Sequence, residues 1–167
     1  LFDKPKRWPA WEIEYDDIMA KPLDATAHGV QTRIVENGPA RVSIEVTRHI
    51  GRSSIKTVIS LAAGEAGDRI KFAYDVDWYE RATLLKAAFP LTCPNDSVTY
   101  DIGLGTIKRG IDKPKLYEVP GQQWADMTAR DGRYGVAILN DCKYGWDHPN
   151  DTTLRLTLIH TPGVFDD

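Results

Sequence analysis

Hydrophobic and polar positions alternate with a period of two along most of the chain, as in strands that send successive side chains to opposite faces of a sheet. Val42, Ile44 and Val46 alternate with Ser43, Glu45 and Thr47, and Asn37-Gly38 just before them supplies a tight turn. Stretches 31–36 and 40–49 therefore read as a hairpin. Ile55, Thr57, Ile59 and Leu61 continue the pattern until Gly64 and Gly67 break it. The clearest strand sets Ile70, Phe72, Tyr74, Val76 and Trp78 against Lys71, Asp75 and Asp77. An apolar run over 84–89, closed by Pro90, reads as a strand buried on both sides.

The second half repeats this style. Val98, Tyr100 and Ile102 alternate, then Gly103 and Gly105 loosen the chain into 107–109. Stretch 110–121 holds Pro114, Pro120 and several charges and reads as a long surface loop. Stretches 124–128 and 134–139 flank Asp131-Gly132, a second hairpin turn. In the last strand Leu154, Leu156 and Leu158 are expected inside, with Thr153, Arg155 and Thr157 outside. A single helical turn is expected near 15–20. About nine short strands with regular turn signals predict an all-β fold, an antiparallel β-sandwich with little helix.

Composition narrows the function classes. The 167 residues suit one domain over 1–167, and 21 Lys+Arg against 24 Asp+Glu give a net charge of −3. That balance offers no electrostatic footprint for nucleic acid or an anionic membrane surface. No apolar run reaches the ~18 residues that span a bilayer. Cys93 and Cys142 stand apart, outside any Cys-x-x-Cys pair, and read as free thiols of a reducing compartment. His28, His49, His148 and His160 are scattered, without the spacing that brings two imidazoles to one metal. The chain opens at Leu1-Phe2-Asp3 without Met, and is expected to be a piece of something longer.

Candidate chemistry is sparse. Trp78 and Trp124 fall in strand periods and are expected in the core. Trp8, Trp11 and Trp146 lie in loops, where they could equally stack on sugar rings. Carboxylates abound (Asp75, Asp77, Glu80, Asp101, Glu118, Asp126, Asp141 and Asp147), but no spacing selects the pair a glycosidase needs. Ser53-Ser54 and Ser97 lack a nucleophile elbow, and Gly103-Leu104-Gly105 is followed by no helix pattern, so it is not a dinucleotide loop. The densest cluster is Asn140-Asp141-Cys142-Lys143-Tyr144-Gly145-Trp146-Asp147, immediately after a strand. Functional groups concentrate on such loops, though a polar connection with Tyr144 and Trp146 as a lid over the core explains it as well.

The run Tyr134-Gly135-Val136-Ala137-Ile138-Leu139-Asn140-Asp141-Cys142-Lys143-Tyr144-Gly145 resembles the C-terminal β-domain of glycoside hydrolase family 38 α-mannosidases, in their cytosolic/vacuolar and bacterial branch. Other pieces follow in the family's order. Pro9-Ala10-Trp11-Glu12-Ile13-Glu14 precedes Glu36-Asn37-Gly38-Pro39, then Val76-Asp77-Trp78-Tyr79-Glu80-Arg81, then Gln123-Trp124-Ala125-Asp126 and Leu154-Arg155-Leu156-Thr157-Leu158-Ile159. Each is weak alone; their ordered conjunction over nearly the whole chain is specific.

The resemblance implies a supersandwich, galactose-mutarotase-like domain of a retaining exo-α-mannosidase acting on terminal α-linked mannose. Its aspartate nucleophile and its zinc or other divalent ion would lie in an α/β barrel that this chain does not contain. No residue here is assigned a catalytic or metal role. Asp141, Lys143 and Tyr144 are the candidates for the rim of the sugar pocket. The implied partners are that barrel and a mannose-containing oligosaccharide, the implied location is cytoplasmic, and the chain alone is expected to be inactive. A free-standing carbohydrate-binding module and a purely structural sandwich are the competing readings. A β-domain cut from its barrel is also expected to expose an apolar patch and to self-associate.

Overall fold

Four strands joined by short turns build the unit Leu23–Arg81: β1 (Val30–Asn37), β2 (Arg41–Ile50), β3 (Ser53–Ala62) and β4 (Ile70–Asp77), with a 3₁₀ turn at Gly64–Asp68 between the last two. They form an antiparallel meander in the order β1-β2-β3-β4. Asn37-Gly38 closes the first hairpin, where Gly38 N–H donates to Arg41 O at 3.0 Å. Gly51, at φ 55°, turns the second and lies against the Glu80 carboxylate. That carboxylate accepts from Arg52 N–H and Ser53 Oγ, both at 2.9 Å. The computed structural model describes residues 1–8, 10–23 and 29–163; His28 lies outside them.

The other unit joins Leu1–Pro22 to Ala82–Asp167. After a short helix α1 (Tyr15–Met19) come β5 (Thr83–Pro90), β6 (Ser97–Asp101), β7 (Thr106–Gly110), β8 (Val119–Pro120), β9 (Trp124–Thr128), β10 (Gly135–Leu139), β11 (Gly145–Asn150) and β12 (Thr153–Thr161). They form two antiparallel sheets, β10-β9-β6-β7 and β5-β12-β11-β8. Val98, Tyr100, Ala125, Met127 and Ile138 from the first sheet meet Val119, Trp146, Leu154 and Leu156 from the second in one apolar cluster. Two sheets sharing a core in this way are a sandwich. The all-β expectation holds, with twelve strands among the described residues.

Four local expectations change. Stretch 110–121 is not all surface loop: Asp112 and Val119 are buried, and the short β8 pairs with β11. Run 84–89 is an edge strand rather than one buried on both sides: Leu84 is buried while Ala88, on the same face, is exposed, so burial fades along the strand. Arg155 is buried rather than outside. Among the tryptophans, Trp146 is the fully buried one, Trp78 and Trp124 are half-buried, and Trp8 and Trp11 are 68% and 83% exposed. Trp146 moved inward because β11 begins at Gly145, placing it in a strand rather than in the loop.

Candidate functional site

Three loops of the two-sheet unit are tied together at one end of β6, β9 and β10. The first is the β6–β7 turn, residues 102–105, where Gly103 adopts φ 87°, a region open to glycine at little cost. The second is 121–123, leading into β9; the third is 140–145, leading from β10 into β11. Asp101 joins the first two. Its carboxylate accepts from Gly103 N–H at 2.8 Å and from Gln123 N–H at 3.1 Å, and its backbone carbonyl accepts from Gln122 N–H at 2.7 Å. Asn140 joins the second and third. Its Oδ1 accepts from Cys142 N–H at 3.1 Å and Lys143 N–H at 2.6 Å, while its Nδ2 donates to the carbonyls of Gln122 and Gln123. An Asn or Asp folding the following backbone onto its own side chain is a turn device these residues favour.

Within this frame Asp141 and Cys142 are exposed, Lys143 is half-buried and Tyr144 is 55% exposed. All three residues expected at a sugar rim thus share one loop and reach solvent. The Asp141 carboxylate beside Cys142 raises that thiol above its ordinary range, which keeps it protonated and a poor nucleophile. Both cysteines are free; Cys93 is buried, its Sγ 3.2 Å from Met127 O. Apolar Ile102, Leu104 and Leu139 project from the same end. The loop therefore offers an acceptor, a cationic donor and an aromatic hydroxyl beside apolar knobs, which is the chemistry of a hydroxyl-rich ligand or a protein contact.

Directly behind Gly145 lies a cluster of charges that sequence reasoning missed. Lys86 of β5 pairs with Glu118 and, at 2.9 Å, with Asp147. Arg155 Nε meets Asp147 Oδ1 at 2.5 Å and its Nη2 donates to Ile18 O at 2.9 Å. Thr157 Oγ1 accepts from Lys86 at 2.7 Å and donates to Glu118. Glu118 holds this place at φ 44°, a conformation costly for a residue with a Cβ. A Cβ added at Gly145 would strike the Glu118 carboxylate, so any larger residue there must displace a charge that its partners hold in place. Two cations and two anions cancel in this cluster, which suits burial of charge. Glu118 and Asp147 stood among the carboxylate candidates, but only a lysine inside an apolar run and an arginine in an alternating strand hinted at partners for them. The remaining carboxylate candidates are dispersed; Asp75, for one, lies 3.5 Å from Lys56 on the four-stranded sheet.

Among the described residues no three His, Cys, Asp or Glu side chains gather as they would to hold a metal ion. His148 is buried and His160 pairs with Asp3 at 2.6 Å.

The described residues form an all-β fold of antiparallel sheets. Residues 1–167 match the family model described as "Glycosyl hydrolases family 38 C-terminal domain", and the chain belongs to that family. Among its relatives are "Alpha-mannosidase G" of Dictyostelium discoideum, 31% identical over 96% of this chain and 15% of that protein, and "Alpha-mannosidase" of Saccharomyces cerevisiae, 32% identical over 98% and 16%. The chain thus spans about a sixth of the curated relatives it matches. A solved family 38 protein from Enterococcus faecalis shares the fold, with TM-score 0.68 over 80% of this chain and 19% of that one, at 14% identity.

Proposed function

We propose that this chain is the non-catalytic C-terminal β-domain of a retaining exo-α-mannosidase that removes terminal α-linked mannose. In this reading it supports a catalytic α/β barrel, which carries the nucleophile and the divalent ion, and its 140–145 loop completes the rim of the sugar pocket. The observation that carries the reading is the family match over the whole chain, joined to a loop that presents Asp141, Lys143 and Tyr144 together. Asp141 would accept from sugar hydroxyls and Lys143 would donate to them. The test is kinetic, in the longer enzyme: Lys143→Ala and Tyr144→Phe lower kcat/KM on an α-mannoside while the melting temperature stays put. Wild-type kinetics in both would remove the loop from the site.

A second reading, a carbohydrate-binding module, has the exposed indoles of Trp8 and Trp11 in its favour.

A further inference from the structure

Segment 121–123 is fastened residue by residue. Gly121 lies against the buried Trp146 indole, where an added Cβ would come within 2.8 Å of the ring, and its N–H donates to Tyr144 O at 3.0 Å. Gln122 bridges the loops on either side. Its N–H donates to Asp101 O at 2.7 Å, and its carbonyl accepts from Asn140 Nδ2 at 3.3 Å. Its side-chain stem lies over Gly103, with Cγ 4.0 Å from where a Cβ would stand on that residue. Gln123 repeats the backbone pattern through Asp101 Oδ2 and Asn140 Nδ2. The Gln122 backbone is thus held from both sides. Its side chain, by contrast, is exposed, and the amide bonds to no other described residue. A polar group carried on a fixed backbone meets a ligand at a smaller entropy cost than one on a mobile loop.

From this we infer that Gln122 is a specificity residue, its amide reading hydroxyls on the leaving-group sugar of an α-mannoside. The inference rests on the reading that this end of the domain rims the sugar pocket of a longer α-mannosidase, and it names the part of the substrate read there. Chemistry and position select this role. A primary amide both donates and accepts, which suits a pair of neighbouring hydroxyls that do the same. It is uncharged, so it makes no demand for an ionised ligand. An exo-acting site takes the terminal sugar into its closed end, so what passes the rim is the rest of the oligosaccharide. Gln122 stands where the turn 102–105 and the loop 140–145 are tied together, one residue from the Gly121 bond to Tyr144 O.

The test compares kcat/KM on two substrates in the longer enzyme. One is 4-nitrophenyl α-mannoside, whose leaving group carries no sugar hydroxyl. The other is whichever α-linked mannobiose the wild type cleaves best. Gln122→Met keeps a stem over Gly103 and removes the amide. It should lower kcat/KM on the mannobiose roughly threefold to tenfold, as loss of a neutral hydrogen bond does, and change the aryl mannoside less than about twofold. Gln122→Ala should show the same split, which ties the effect to the amide. A loss of equal size on both substrates overturns the assignment, because a disturbed loop weakens every substrate alike. So does wild-type behaviour on both, or a wild-type enzyme that cleaves the aryl mannoside but no mannobiose. Lys143→Ala and Tyr144→Phe on the same pair keep the two ideas apart. Defects there with Gln122→Met silent refute Gln122 and spare the 140–145 loop. A mannobiose-specific defect in Gln122→Met with both of those variants silent does the reverse.

Discussion

Arg155 Nε lies 2.5 Å from Asp147 Oδ1 on the paired strands β12 and β11, and neither side chain has more than marginal contact with water. The second Asp147 oxygen takes Lys86 at 2.9 Å, and Lys86 in turn holds Glu118. The chain of charges runs from β12 through β11 to β5 and up to the residue before β8. It fastens three of the four strands of one sheet to the segment beneath the 140–145 loop.

Removing one member leaves buried charge that is no longer balanced. Lys86→Met keeps most of the side-chain volume but removes the cation that two carboxylates share, leaving Glu118 only the Thr157 hydroxyl and Asp147 only Arg155. We expect a loss of ~3–5 kcal/mol, typical of breaking a buried pair from one side. Urea unfolding followed by circular dichroism measures it; a midpoint equal to wild type would mean that water already reaches the cluster.

Gly145 extends the same contact into the loop. A Cβ there meets the Glu118 carboxylate and lies 3.3 Å from Thr157 Cβ. The carboxylate is the end of a flexible side chain, yet it is held by Lys86 and Thr157, so it cannot swing aside cheaply. Gly145→Ala should cost ~1–3 kcal/mol, as overpacking does, and Glu118→Ala in the same chain should recover part of that loss. An undiminished penalty in the double variant would place the strain in the backbone instead.

The contrast between these residues and the strands says what a sequence carries. The period-two pattern located the four-stranded meander and the β9–β10 hairpin because half-buried strands write their burial directly into alternation. The same rule misplaced Arg155, since a face turned from the apolar core can still be buried when a partner such as Asp147 receives the charge. Glu118 stood only as one carboxylate candidate among eight, with no sign of its buried place, which depends on a left-handed backbone angle and on Lys86, 32 residues away. The rim residues were legible as a motif, but Asp101 and Asn140, which tie their loops together, act through backbone groups that no side-chain pattern records.

Acid dependence turns on Asp112 and His148. Burial pushes the Asp112 carboxyl up to about 6 from its ordinary 3.8, against the lowering effect of the His148 backbone N–H it accepts. Between pH 4 and 6 the folded chain therefore holds a proton that the unfolded chain has released, and this group makes stability fall as pH rises. His148 works in the opposite direction, since burial lowers its imidazole below 6.5; its contribution is lost as pH falls through the unfolded value. Asp112→Asn keeps an oxygen for the His148 N–H and removes only the first effect. Its stability should climb more steeply from pH 4 to 6.5 than that of the wild type. Parallel curves in pH-resolved thermal melts would clear Asp112 of any role.

Calorimetry of the 167-residue chain with mannose oligosaccharides decides between a rim-completing domain and a free-standing module. A rim contributes a few hydrogen bonds to a pocket whose other walls lie elsewhere, and a surface loop such as 140–145 still has to desolvate and order its side chains to make them. The chain alone should therefore bind with Kd weaker than ~1 mM, which is no more than about 4 kcal/mol of affinity. A module would instead use a stacking platform. Trp11 is the best placed for that, because its indole is exposed while its backbone N–H is fixed to Trp8 O at 2.8 Å. Measurable heats that vanish in Trp11→Ala would establish the module and displace the rim reading. Heats absent from the short chain, together with kinetic defects of Lys143→Ala in the longer enzyme, would establish the domain as one wall of a shared site.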